Sequence, residues 1–189
     1  MAKLKLGIIV GSNRRESINR KLAQALAKLG QGQFDSKLIQ IDDLPIYNQD
    51  SESPAPGPVA RLKGEIEASD ALLFVTPEHN RSIPAVLKNA IDWAARPYGK
   101  NSWRGKPAAV TGTTPGVIST AVAQAHLRAV LSTAMHVMGS EAYIQFKPEL
   151  IDAHGNVTDE SARKFLKDFV DQFADFAARF ATQRAQAAA

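Results

Sequence analysis

The sequence predicts an α/β protein built on a parallel β-sheet with helices on both faces. Three observations carry this. Short, almost wholly apolar runs recur along the chain, as strands buried on both faces require. Between them the apolar residues switch to helical spacing. The alternation repeats about five times with no internal repeat or composition break, the pattern of βαβ units in one domain. With 189 residues, 44% hydrophobic and 22% charged, the chain can bury a sizeable core. A single domain is expected over 1–182, with the Ala-rich residues 183–189 a frayed tail.

Leu4 to Val10 reads as the first buried strand, ended by Gly11. Ile18, Leu22, Ala25, Leu26 and Leu29 follow at helical spacing and Gly30 closes the helix. Phe34 to Ile41 is the second strand. Asp42 to Pro58 holds four of the ten prolines and is a loop. Pro58 then opens a short helix at its first position, carrying Val59, Leu62 and Ile66. Ala71 to Val75 is the third strand, and Val86, Leu87, Ala90, Ile91 and Ala94 form a helix that Pro97 ends. Pro107 to Thr111 is the fourth strand. Val117 to Met135 reads as one helix with two apolar stripes, Val122, Ala125 and Ala129 on one and Leu127, Leu131 and Met135 on the other. Such a helix is central or packs on a partner subunit. Glu141 to Phe146 is the fifth strand. Thr158, Asp159 and Glu160 supply the cap and acidic first turn of a last helix, whose Phe165, Phe169, Phe173, Phe176 and Phe180 form a core-facing stripe.

Composition narrows the chemistry. There is no Cys, which excludes disulfides, thiolate metal sites, Cys nucleophiles and thiol redox pairs, so redox chemistry requires a cofactor. The net charge of +4 comes from charges spread along the chain, without the massed basic arm or aromatic interleaving of a nucleic-acid binder. No run reaches the roughly 18 apolar residues of a membrane span, and Leu6 to Val10 is too short for a signal-peptide core. A cytoplasmic protein with no nucleic-acid or membrane partner is expected.

In open parallel sheets ligands bind beyond the carboxyl ends of the strands, near the switch in strand order. The loops after the first, third and fourth strands therefore matter most. The first, Gly11-Ser12-Asn13-Arg14-Arg15-Glu16-Ser17-Ile18-Asn19, enters a helix N-terminus, where free N–H groups and a positive dipole suit a phosphate. It is neither a Walker loop nor a Gly-x-Gly-x-x-Gly turn. Ser17 caps the helix on any reading, but capping leaves Ser12, Arg14 and Asn19 unexplained. The second loop, Thr76-Pro77-Glu78-His79-Asn80-Arg81-Ser82-Ile83-Pro84, is stiffened by two prolines and can line a flat heteroaromatic ring. Glu78 and His79 have no second His at ligand spacing, and His126, His136 and His154 stand singly, so no metal site is expected. The third, Thr111 to Gly116, can approach a ring closely at Gly112 and Gly116.

Gly11-Ser12 through Ser17-x-Asn19, the run from Thr76 to Pro84, and Leu87-Lys88-Asn89-Ala90-Ile91-Asp92-Trp93 together resemble the NADPH-dependent FMN reductase family, in its chromate- and quinone-reductase branch. The resemblance extends from Lys3 to about Phe180. It implies a flavodoxin-like three-layer sandwich with strand order 2-1-3-4-5 and non-covalently bound FMN. It places the phosphate at Ser12, Arg14, Ser17, Ile18 and Asn19. The isoalloxazine would lie along Pro77, Glu78, His79 and Asn80, largely on main-chain groups, with Arg81 reaching toward a neighbouring subunit's site and Thr113, Pro115 and Gly116 closing the far side. It further implies a homodimer or homotetramer with FMN near the subunit interface. Two departures stand out. The family's usual Tyr after Pro-Glu is His79 here, and its usual Gly-Gly pair is Ser119-Thr120.

The expected activity is hydride transfer from NADPH or NADH through FMN to a quinone-like acceptor, with chromate, ferric, azo or nitro compounds as further acceptors. No catalytic side chain is assigned, since the flavin carries the chemistry. A non-enzymatic electron carrier of flavodoxin type is the rival reading; such carriers are acidic, and the net charge of +4 argues against it.

Overall fold

The computed structural model describes residues 3–187, with side chains described through 181. Its sheet is assembled from β1 (Leu4–Val10), β2 (Phe34–Ile39), β3 (Ala71–Val75), β4 (Pro107–Thr114), β5 (His136–Val137) and β6 (Ala142–Gln145). All pairs are parallel, in the order β2-β1-β3-β4-β5, with β6 also on β4. This is the flavodoxin-like order, with its switch between β1 and β3. The helices are α1 (Ile18–Leu29), α2 (Gly57–Ala68), α3 (Ala85–Ala94), α4 (Ala121–Leu131) and α5 (Glu160–Ala187).

Two cores lie on opposite faces of the sheet. Leu22 and Leu26 of α1 and Leu166, Phe169 and Phe173 of α5 cover one face through Ile8, Val10 and Leu73. Leu62 and Ile66 of α2, Leu87 and Trp93 of α3 and Leu127 of α4 cover the other through Ile9, Phe74 and Val110. The Phe stripe of α5 is core at Phe169 and Phe173, whereas Phe180 stacks on His136 with centroids 4.4 Å apart and Phe165 is half exposed. The expected tail at 183–189 falls at the limit of description: the helix trace reaches Ala187, and residues 188 and 189 and the side chains from 182 on lie outside it.

The structure corrects several boundaries. β2 stops at Ile39, and Gly57 precedes Pro58 in α2. The expected fifth strand, Glu141 to Phe146, is β6, and an unexpected two-residue strand, β5, precedes it across a break; the two pair with opposite ends of β4. The break exposes carbonyls that the Arg128 guanidinium takes up, donating to Met138 O, to Ser140 O at 2.8 Å and to Val110 O at 3.3 Å. Buried carbonyls need such partners, and here a side chain replaces the missing ladder. The long helix expected over 117–135 is shorter, because Ser119 has a left-handed backbone (φ 55) that no helix admits. Of its two stripes, Leu127 and Leu131 enter the core while Val122, Ala125 and Ala129 are exposed.

Candidate functional site

The carboxyl ends of the adjacent strands β1, β3 and β4 bring the three loops together. Their junctions are tight. Gly11 N donates to Val75 O at 2.9 Å and Thr76 N to Thr111 O at 3.0 Å. A Cβ on Gly112 would stand 1.9 Å from Thr76 O, so only glycine lets β4 pass this close to the second loop. The expected third loop is thereby half strand: Gly112, Thr113 and Thr114 pair with β6, leaving Pro115 and Gly116 exposed beyond it.

The first loop carries Ser12, Arg14, Ser17, Ile18 and Asn19. Ser17 is the N-cap of α1, its Oγ accepting Arg20 N–H at 3.3 Å. Ser12 Oγ accepts Arg14 N–H at 3.4 Å, while the exposed Arg14 guanidinium has no partner among the described residues. Nothing among the described residues accepts from the main-chain N–H of Arg15, Glu16, Ile18 or Asn19. These donors, the helix dipole and Arg14 form a cradle for an anion. The side chain of Asn19 is committed elsewhere: Nδ2 donates to Thr113 O and Oδ1 accepts Thr113 N–H, each at 2.9 Å. Asn19 thus offers the cradle its main-chain N–H, and its amide locks α1 to β4. The Thr113 hydroxyl likewise turns inward, donating to Ile144 O at 2.6 Å.

In the second loop, His79 and Ser82 exchange two main-chain hydrogen bonds of 2.9 Å around Asn80 (φ 48) and Arg81 (φ 62). Two consecutive left-handed residues make a type I′ turn, which non-glycine residues adopt at a cost. The N–H groups of Glu78, Asn80 and Arg81 have no acceptor among the described residues. They are the kind of donor that ring nitrogens and oxygens require. The Glu78 side chain is 11% exposed; Oε2 accepts Val122 N–H and Ala123 N–H at 3.0 Å, and Oε1 accepts from Arg81 Nη1 at 3.2 Å. Ser82 Oγ and His126 Nδ1 are 2.8 Å apart. His79 is exposed at the start of the turn. Ser119, one of the two residues at which the resemblance leads glycine to be expected, takes a left-handed conformation (φ 55), and its buried hydroxyl donates to Ile144 O at 2.8 Å.

The Leu87–Trp93 motif proves to be a clamp on the loop after β2. Asn89 Nδ2 and Trp93 Nε1 both donate to Pro45 O, at 2.9 and 2.7 Å, and Asn89 Oδ1 accepts Tyr47 N–H at 2.7 Å. Tyr47 OH and Arg96 Nε donate to the Glu52 carboxylate at 2.8 and 2.6 Å. These two donors, Arg96 foremost, hold the Glu52 carboxyl below its ordinary value. The Asn89–Trp93 spacing of four residues on an otherwise apolar helix face is the signal that marks this clamp in the sequence. Among the described residues, no group of three His, Asp or Glu side chains could hold a metal ion.

A model of the family described as NADPH-dependent FMN reductase matches residues 4–149. A 2-hydroxy-1,4-benzoquinone reductase of Burkholderia sp is 47% identical over 173 residues, covering 90% of this chain and 94% of that protein. An NAD(P)H-dependent FMN reductase of Pseudomonas aeruginosa is 40% identical over 84% of this chain and 87% of its own length. Among solved structures, the flavoenzyme NAD(P)H:(acceptor) oxidoreductase FerB of Paracoccus denitrificans superposes with a TM-score of 0.90 at 51% identity, covering 94% of this chain and 98% of that one.

Proposed function

The chain belongs to the NADPH-dependent FMN reductase family, and from that membership we propose that it reduces quinones, drawing electrons from NAD(P)H through FMN held at the carboxyl edge of the sheet. It is an oxidoreductase with FMN as cofactor and NAD(P)H as electron donor. The observation that carries the siting is the pair of unpaired main-chain donor sets on facing loops. Arg15, Glu16, Ile18 and Asn19 offer N–H groups at the start of α1, and Glu78, Asn80 and Arg81 offer them across the β1–β3 junction. One set suits a phosphate and the other a polar ring edge.

Bound FMN supplies two-electron chemistry, taking up a hydride equivalent and releasing it to an acceptor. The protein binds and orients. Ser12, Arg14, Ser17, Ile18 and Asn19 would hold the phosphate; Pro77 to Asn80 would line the ring; Pro115 and Gly116 would border its far side, with the buried Thr113 anchoring them from behind. Bound flavin would carry the hydride, and the exposed loops leave the proton that completes the hydroquinone to solvent, so no dedicated acid or base is assigned. Quinone preference is favoured by the activity of the Burkholderia relative; chromate, ferric, azo and nitro compounds are secondary acceptors of the same open face. The lack of cysteine and of any helix, among the described residues, long and apolar enough to cross a membrane fits a cytoplasmic setting.

The working unit is a homodimer or homotetramer. Val117 (86% exposed), Ile118 (60%) and Val122 (39%) form an apolar shoulder directly after β4, in line with the exposed Ala125 and Ala129. A second subunit there would bury apolar surface beside the site. Light scattering of the purified protein should return two or four times the chain mass.

The test of function is steady-state NAD(P)H oxidation by protein reconstituted with FMN, with benzoquinones varied. Parallel double-reciprocal lines are expected. Protein that binds no FMN and oxidises no NAD(P)H with a quinone would overturn the proposal.

A further inference from the structure

The first turn of α4 lacks a cap of its own: Thr120 makes no side-chain bond to it and instead accepts from Gln124 Nε2 at 3.0 Å. The exposed donors of a helix start are ordinarily met by the residue just before it. Here they are met from a different loop. Glu78 Oε2 lies 3.0 Å from both Val122 N and Ala123 N, bringing a negative charge to the positive end of the helix dipole. One turn further along α4, His126 Nδ1 lies 2.8 Å from Ser82 Oγ. The I′ turn at Asn80–Arg81 is thus fastened to α4 on both sides.

We propose that Glu78 is a positioning residue for the cofactor: its carboxylate caps α4 from the second loop and so fixes the direction of the free N–H groups of Glu78, Asn80 and Arg81. The inference rests on the reading that these groups meet the flavin ring. The carboxylate does its work pointed away from the ring, with Arg81 Nη1 at 3.2 Å on its other oxygen. A charged acceptor of two N–H donors is stronger than a neutral one, and the left-handed pair needs such an external hold to persist.

The experiment compares Glu78→Ala, Glu78→Asp and Glu78→Gln with the parent, using amide exchange of the FMN-free proteins, and FMN affinity and the visible circular dichroism of bound flavin. Glu78→Gln keeps an oxygen at the right reach and should retain most of the parental behaviour. Glu78→Asp is one carbon too short and should resemble Glu78→Ala: faster exchange at Val122 and Ala123, FMN affinity weakened about tenfold, and an altered visible spectrum with far-UV signal intact. Faster exchange with unchanged FMN affinity and spectrum in Glu78→Ala and Glu78→Asp would overturn the proposal while leaving the flavin reading in place. A parent that binds no FMN would overturn that reading and the proposal with it.

Discussion

The side-chain amide of Asn19 grips the main chain of Thr113 at both polar atoms, donating to its carbonyl and accepting its N–H, each at 2.9 Å. Asn19 is 2% exposed and Thr113 is 1% exposed. The amide acts as one rung of a ladder between the first turn of α1 and the end of β4. It holds the loop after β1 against the end of β4, although the two residues lie 94 positions apart in sequence.

Removing that rung strands two buried main-chain groups. Asn19→Ala should destabilise the fold by about 2–4 kcal/mol, since each buried unsatisfied group costs about 1–3 kcal/mol. Asn19→Asp should also destabilise it, because one carboxylate oxygen must face Thr113 O. Urea unfolding measures both; a loss below about 0.5 kcal/mol, the range of neutral surface changes, would contradict the rung.

The cradle itself is tested by Ser17→Ala combined with Arg14→Ala. The pair should weaken FMN retention on dialysis while far-UV circular dichroism stays close to the parent. Loss of the Ser17 cap alone costs about 1 kcal/mol of helix stability, so the fold survives. Parental FMN affinity would place the phosphate elsewhere.

Ser119 separates backbone strain from hydrogen bonding. Ser119→Gly removes a left-handed strain of about 1–2 kcal/mol and loses a hydrogen bond worth about 1 kcal/mol, for little net change. Ser119→Ala keeps the strain and loses the bond, and should lower stability by about 1 kcal/mol. Thermal unfolding should rank glycine at or above the parent and alanine below, a gap of about 2–4 °C per kcal/mol for a chain of this size. Alanine equal to glycine would contradict the reading of φ 55 at this residue.

Glu52 ties the loop after β2 to α3 through Arg96 and Tyr47, and its carboxyl titrates below its ordinary value of 4.5. A depressed carboxyl stabilises the folded state fully above the unfolded value, and that contribution is lost as the pH falls through the lower folded value. The urea midpoint should therefore hold from neutral pH down to about 5 and then decline. Glu52→Gln should shallow that decline; an acid limb identical to the parent would remove Glu52 from it.

Much of the fold is legible because buried parallel strands leave continuous apolar runs: Leu4–Val10 and Ala71–Val75 are bounded in the structure as the sequence reads. What escaped reading depends on distant partners. β4 runs on through Gly112 to Thr114 only because β6 lies beside it, and the break between β5 and β6 persists because the Arg128 side chain, on α4, supplies the donors. The same holds at the site. Loop composition marks Asn19 and Glu78, but single-sequence patterns cannot say that their side chains serve Thr113 and α4 while their main-chain N–H groups stay without an acceptor among the described residues. Ser119 is a further case: nothing in its sequence neighbourhood announces the left-handed backbone (φ 55) that ends the expected long helix.

If electrons enter from NAD(P)H and leave to a quinone through FMN bound at these loops, an anaerobic titration of the FMN-loaded protein will show both half-reactions. One equivalent of NAD(P)H should bleach the flavin's visible absorbance, and one equivalent of benzoquinone should restore it. Absorbance unmoved by NAD(P)H, or bleached and then not restored by the quinone, would rule that route out.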